Sequence, residues 1–489
     1  MSPAEWTELA RFFERMTAPD YKDWEEGVRR IQGCAHPVHL SGSVRLVDSA
    51  TGEVVHELGD DGRHRLMVPC GNRRKEWCAP CSRLYQWDTW HLVKAGLVGG
   101  KGVAESVSGH PRAFVTLTAP SFGPVHTVSP DRPCHPRRGD ESCDHGHPLA
   151  CWARHDSGDP LVGQPLCGGC YDYPGAVLWN AHAGPLWHRF TDVMRRQELP
   201  RAAGLTCAEF TRRIRVSFIK VAEYQQRGLI HFHGVVRLDP TDDAAPLPTW
   251  ADFDLIDDGV RSSVPRVRLT TLEGSIGQWE LGLGAQTDVQ PIPSLVPPNE
   301  ESNGRSTDHV AAYIAKYVTK AAECTGTVDR PLYCKRCKGS GFAGLCARCK
   351  GSGLRVDLGT LRMPQHARAM VGTAWRLGGL PEYRALNLRR WAHQFGYGGH
   401  FSTKSRRYST TMTALRQTRA DFRSEQTRQR LGISGELVTV SELVFAGIGY
   451  ASETEETIAK RIRDDIAENR AIAREEIAAL EVEDEWWGE

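Results

Sequence analysis

The sequence has no excess of either charge and no long apolar run. Across 489 residues, 61 Lys+Arg stand against 60 Asp+Glu, a net charge of +1, which excludes a global polycation or polyanion. No uninterrupted apolar stretch approaches the roughly 18–20 residues that span a bilayer, so no transmembrane helix is expected. The opening Met-Ser-Pro-Ala-Glu-Trp-Thr-Glu lacks a charged segment leading into an apolar one, the pattern of a secretory signal. A Gly-x-x-x-x-Gly-Lys-Ser/Thr loop is also absent, which excludes a P-loop motor. A cytoplasmic chain is therefore expected. With 40% hydrophobic and 25% charged residues it falls in the globular range, and its length calls for more than one packed unit.

Fifteen cysteines in such a chain need a reason other than disulfides, which are rare in a reducing compartment. Cys334-Lys-Arg-Cys337-Lys-Gly-Ser-Gly341 and Cys346-Ala-Arg-Cys349-Lys-Gly-Ser-Gly353 are near-duplicates. Their two Cys-x-x-Cys knuckles supply the four thiolates of one tetrahedral zinc. Cys78-Ala-Pro-Cys81 is another knuckle, with Cys34 and Cys70 the nearest thiols to complete it. Cys167-Gly-Gly-Cys170 is a third, with Cys143 and Cys151 as expected mates and Cys134, His145 and His155 as competitors. About three structural zinc ions follow from four ligands per site. Cys207 and Cys324 stand without partners and read as ordinary small apolar residues.

The chemistry is concentrated elsewhere. Arg215–Glu223 and Leu229–Asp239 read as two strands around the polar turn Gln225-Gln-Arg-Gly228. Strand side chains alternate, so His231 and His233 share one face while Phe232 points into a core. A turn centred near Arg227 places Glu223 opposite His231, giving two histidines and a carboxylate, a set suited to a divalent ion with open positions. A His-x-His pair alone is more often a packed or surface pair. Its partner is the helical run His309–Glu323, in which Tyr313 and Tyr317 share a face and Lys316 and Lys320 each follow a tyrosine by three. Any single Tyr-x-x-Lys is usually just an amphipathic helix.

Together these features resemble the HUH endonucleases, named for histidine, a bulky apolar residue, histidine. His231-Phe232-His233 fits that motif. Tyr313-Ile-Ala-Lys-Tyr-Val-Thr-Lys320 resembles the third motif of two-tyrosine rolling-circle initiators, and Phe114-Val-Thr-Leu-Thr-Ala-Pro-Ser121 resembles their first. A narrower resemblance is to the replication initiators of actinomycete plasmids and integrative elements. It is carried by Cys70-Gly-Asn-Arg-Arg, Pro165-Leu-Cys-Gly-Gly-Cys-Tyr-Asp-Tyr173, Trp179-Asn-Ala-His-Ala-Gly184, the 221–239 hairpin and His400-Phe-Ser-Thr-Lys-Ser-Arg-Arg-Tyr-Ser-Thr410, over roughly residues 30–410.

The resemblance implies an α+β fold, with an HUH-type antiparallel catalytic sheet, flanking helices and small zinc modules. It implies Mg2+ or Mn2+ held by His231, His233 and Glu223. The implied reaction is nicking and joining of one strand of origin DNA through a 5′-phosphotyrosine. Tyr317 would start it and Tyr313 would finish it, each aided by Lys316 or Lys320. A host polymerase would extend the free 3′-OH, and a host helicase would unwind. A two-tyrosine transposase or relaxase would share this core, whereas a non-catalytic zinc-ribbon regulator would leave the tyrosine–lysine tandem unused.

The balanced total charge hides an asymmetry. Leu361–Arg430 carries 14 basic residues against 3 acidic, and Glu453–Glu489 carries 13 acidic against 5 basic. Within the basic stretch Lys404, Arg406 and Arg407 lie among aromatic residues and glycines, a composition suited to phosphate contact and base stacking. The expected order is an N-terminal helix and zinc module over 1–105, then a nuclease domain over 106–330 with a zinc-binding insert at about 131–175. A zinc ribbon over 331–355, a basic DNA-binding region over 356–440 and an acidic helical tail over 441–489 follow.

Overall fold

The computed structural model describes residues 3–58, 65–139, 142–293, 307–319, 325–328, 330–341, 344–431 and 437–486. It is a mixed α and β protein with antiparallel sheets, divided into two compact units. One spans 89–412; the other joins 1–88 to 413–489. The two ends of the chain fall in one unit because they build one sheet together. No described helix is long and apolar enough to cross a membrane.

The unit 89–412 is built on five strands: β1 (Arg112–Leu117), β2 (Ile214–Tyr224), β3 (Ile230–Pro240), β4 (Thr287–Pro291) and β5 (Ser402–Lys404). Their order is β5-β2-β3-β1-β4, all antiparallel, so the β2–β3 hairpin is central. Helices α1 (Tyr173–Val193), α2 (Phe253–Ser263), α3 (Thr307–Tyr317) and α4 (Gln365–Leu377) belong to the same unit.

The alternation of β3 decides what each sheet face does. Phe232, Val236 and Leu238 are fully buried on one face, and the Trp187 ring of α1 lies 5.3 Å from Phe232. Gly234 sits beneath that tryptophan: a Cβ there would meet Ile219 O at 2.9 Å and the indole at 3.4 Å. Asn180, wholly buried on α1, fixes the hairpin tip by donating to Gly228 O (2.9 Å) and accepting from Ile230 N (3.0 Å). The opposite face carries His231, His233, Arg237 and Asp239. At its far end Arg237 grips Asp239 through two nitrogens (2.6 and 2.9 Å) and also donates to Gly96 O. Burial works to raise the Asp239 carboxyl, but hydrogen bonds from His110, Arg237 and Ser217 outweigh it and hold it at about 2.

Part of the basic stretch is core. Ala367, Met370, Val371 and Ala374 of α4 are buried in the main hydrophobic cluster. Tyr397, Phe401 and Tyr408 are buried too, so these rings fill the interior and do not stack on bases as the composition suggested. Hydrophobic burial claims an aromatic ring whenever the chain around it can close, whatever cations flank it.

In the second unit the N-terminal stretch forms two helices, Pro3–Thr17 and Tyr21–Arg30. The break falls at Ala18-Pro19, since a proline disfavours helical backbone in the residue before it. A hairpin follows as Val38–Asp48 and Val54–Leu58, with Asp48 Oδ1 accepting from Ala50 N and Thr51 N in the turn. Leu437–Ile448 pairs along the whole of Val38–Asp48. The acidic C-terminal helix, Glu453–Trp486, is structural at its start. Ile458, Ala459 and Ile462 are buried with Val28, Ile31, Cys34, Cys78 and Cys81. Gly33 lets it approach: at φ +65°, a Cβ there would meet Arg463 Cβ at 2.6 Å.

Candidate functional site

Register builds the centre of the site. Glu223 lies directly opposite His231 across β2–β3, and Thr116 of β1 lies opposite His233. Glu223 Oε2 is 3.0 Å from His231 Nε2 and 3.1 Å from His233 Nε2, and the two Nε2 atoms are 3.1 Å apart. Three ligand atoms thus converge on one point from two adjacent strands. Burial works to raise the Glu223 carboxyl, but the hydrogen bonds and charge of the two histidines prevail and keep it below the usual value. Thr116 Oγ1 is 3.0 Å from His233 Nδ1. An Nδ1–H donating to that hydroxyl leaves the Nε2 lone pair facing Glu223, the arrangement in which an outer partner orients a metal-binding imidazole.

Helix α3 supplies the tyrosines. Val310, Ala311, Ile314 and Ala315 bury its inner side. That seating leaves Tyr313 and Tyr317 half-buried, their rings 4.6 Å apart. Tyr313 Oη stands 3.2 Å from His233 Nε2, and the Tyr317 ring is 5.9 Å from the His233 ring. Phe114 stacks on His233 at 5.7 Å and meets Tyr313 edge-on at 5.5 Å, so one buried ring packs against both. Lys316 places its ammonium 5.6 Å from the Tyr317 ring. The helix ends at Tyr317, short of the expected Glu323, with Val318 and Thr319 in a turn; Lys320 and Cys324 lie outside the described residues. Thr116, Phe114 and Asn180 contribute without having been singled out as site residues. Phe114 fell inside the strand motif, but nothing in its position marked it as packing on both His233 and Tyr313.

Among the described residues four further groups could hold metal: Cys34/Cys70/Cys78/Cys81, Cys334/Cys337/Cys346/Cys349, Cys143/His145/Cys167/Cys170 and His126/Cys134/Cys151/His155. A tetrahedron with metal–sulfur bonds of about 2.3 Å has edges of about 3.8 Å. In the first group Cys34 Sγ lies 3.7 Å from both Cys78 and Cys81, and Cys70 is 3.7 Å from Cys81. Cys337 and Cys349 of the ribbon are also 3.7 Å apart. The donor sets fit zinc.

The insert departs from the expected pairing. Cys151 does not join Cys143, Cys167 and Cys170; His145 does, with Nδ1 3.4 Å from Cys170 Sγ. The reason is a chain crossing. Backbone bonds between His135 and Cys151 lay Cys151 beside Cys134, while a tight turn from Cys143 to His147 brings His145 round toward the 167–170 knuckle. Cys151 Sγ is 3.4 Å from His155 Nε2, which is 3.1 Å from His126 Nδ1. His155 is buried and its Nδ1 is 2.7 Å from Asp159 Oδ2, the carboxylate–histidine pairing common behind bound zinc.

Of the expected DNA contacts, Arg406 and Arg407 are exposed. Lys404 is not free: its ammonium donates to Ser409 O at 2.8 Å, and burial lowers its pKa.

The site is thus a carboxylate–dihistidine cluster on a sheet with paired tyrosines set against it, in a chain with several Cys and Cys/His clusters. The family described as "Replication initiator protein, pSAM2" matches residues 20–464, and the chain belongs to that family. It is also 38% identical over 488 residues to a replication initiator protein of Streptomyces ambofaciens, covering 96% of each chain. No solved structure matches it.

Proposed function

We propose that this protein initiates rolling-circle replication by nicking and rejoining one strand of its origin DNA, using an HUH-type site. The carrying observation is that Tyr313 Oη touches a ligand of the Glu223–His231–His233 cluster. Glu223, His231 and His233 would hold Mg2+ or Mn2+, with Thr116 fixing the His233 tautomer. Such an ion, when bound, polarises the scissile phosphate and offsets the charge gained in displacement.

The protein's own part is positional and nucleophilic. A tyrosine hydroxyl attacks phosphorus and its proton passes to solvent. The new bond is tyrosine O–P, the broken bond is P–O3′, and the departing 3′-oxygen takes up a proton. One DNA end stays as a 5′-phosphotyrosine while the free 3′-OH can prime a host polymerase. Unwinding falls to a host helicase. Two strand transfers are needed per round, and two hydroxyls on one helix face can serve both. We assign Tyr317 to the first, beside Lys316, and Tyr313 to the second, its hydroxyl resting on His233 until then. Zinc in the four cysteine-containing groups is architectural. Arg406 and Arg407 contact DNA phosphates.

Incubation with Mg2+ or Mn2+ and a supercoiled plasmid carrying the protein's own gene region tests this. The expected product is a nicked circle with protein attached to the 5′ end. An intact plasmid would leave the non-catalytic regulator as the better reading.

A further inference from the structure

The zinc ribbon is assigned nothing beyond its own folding by the reading above. Yet from Arg330 to Val356 it holds seven cationic residues and no carboxylate. Four thiolates outweigh the charge of one zinc ion by two, so the loaded ribbon remains strongly positive. Arg330, Lys335, Arg348 and Arg355 surround a concave pocket of about 260 Å³, floored by Leu332, Cys334 and Leu354. All four cations are exposed, and none has an ion pair or side-chain hydrogen bond among the described residues. Arg237 and Arg419, by contrast, are held by Asp239 and Asp88.

The scaffold beneath them is stiff. The core of the ribbon is the four buried cysteines themselves. Each repeat closes alike: Gly341 N donates to Cys337 Sγ at 3.3 Å, and Gly353 N donates to Cys349 Sγ at 3.2 Å. Unpaired cations gathered around a hollow suit a polyanion, because no existing ion pair has to break when it binds. Single strands are usually gripped by stacking on exposed aromatic rings. Among the described ribbon residues the one such ring, Tyr333, is half-buried. Four cations around one hollow suit a duplex backbone, which carries one charge about every 1.7 Å of its axis.

We infer that the pocket of Arg330, Lys335, Arg348 and Arg355 is a sequence-independent clamp for the phosphate backbone of duplex DNA, separate from the nicking site. It rests on the replication-initiator reading for its biological setting, but not for its measurement.

The test uses the full-length zinc-loaded protein and a fluorescein-labelled duplex of roughly 30 base pairs and unrelated sequence, titrated at several salt concentrations. The variant carries Arg330→Gln, Lys335→Gln, Arg348→Gln and Arg355→Gln. The slope of log affinity against log salt should fall by about three to four, with binding weakened about tenfold or more at moderate salt. Zinc content and nicking of a short single-stranded origin oligonucleotide should be unchanged. Should the fourfold variant lose zinc, Arg330→Gln with Arg355→Gln, both outside the knuckles, should still lower the slope by about two. An unchanged slope overturns the clamp. So does a polyglutamate peptide that binds through these four residues as tightly as the duplex, which would make the partner an acidic protein segment. Loss of duplex binding by the variant in a protein that never nicks would uphold the clamp and sink the nuclease reading instead.

Discussion

The five-stranded sheet and the cysteine ribbon keep their shapes by different means. The sheet is held by apolar burial: Phe232, Val236 and Leu238 lie wholly inside, and the candidate metal ligands project from the other face of the same strands. The ribbon leans on that core through Leu332, while its own buried cluster among the described residues is Cys334, Cys337, Cys346 and Cys349. On the proposed reading, metal on the sheet would be a reagent laid on a finished fold, whereas metal in the ribbon would hold the module together. The lesson is that one chain can use two kinds of ion with unrelated consequences for stability, and experiments that remove them should separate cleanly.

The largest expected effect is on the ribbon side. Cys337→Ser should cost a zinc ion and unfold the ribbon, since binding energy of about 10–16 kcal/mol in such modules is folding energy. Metal analysis should find about four zinc ions in the intact protein and one fewer in this variant. A count of one in the intact protein would break the comparison.

On the sheet side, His231→Ala should lower nicking by roughly a thousandfold or more while leaving duplex affinity and thermal melting nearly unchanged. Parallel loss of melting temperature would mean the histidines are structural. Tyr317→Phe should lose most of the covalent adduct, and Tyr313→Phe should nick an origin oligonucleotide without completing transfer. The reverse result would assign the first attack to Tyr313, the hydroxyl that touches His233.

A smaller effect sharpens the apolar side. Asp239 is held at about 2, below the ordinary aspartate value of 3.8, so its contribution is complete above about pH 4 and is lost as pH falls toward 2. That amounts to roughly 2 kcal/mol, and acid unfolding of this unit should show it. Asp239→Asn should flatten that acid limb and destabilise at neutral pH, because Arg237 loses its partner. The smallest expected change is Asp159→Asn, which should weaken zinc at the His126/Cys134/Cys151/His155 group by about tenfold to a hundredfold without unfolding the sheet.

What could be read in the residues follows from how local each feature is. A hairpin turn fixes register, so Glu223 opposite His231 followed from the position of the turn alone. The ribbon's ligands are adjacent repeats and needed no tertiary knowledge. The mates of Cys151 were not legible, because they depend on where His135 and Cys151 cross, which spacing does not encode. Tyr397, Phe401 and Tyr408 misled for a related reason: cations beside aromatics look alike whether the rings face solvent or core. The tail's acidic composition likewise concealed Ile458 and Ile462, whose helical spacing buries them beside Cys34.

The central claim is that the carboxylate–dihistidine cluster and the tyrosine helix are one active centre. The direct measurement is to react the protein with Mg2+ and an origin oligonucleotide labelled on the 3′ side of the nick, denature it, and sequence the labelled peptide by mass spectrometry. The account predicts a stable adduct on Tyr317, with Tyr313 labelled when Tyr317 is replaced and neither labelled in His231→Ala. A nicked product carrying a free 5′-phosphate and no protein, or an adduct that survives His231→Ala, would contradict it.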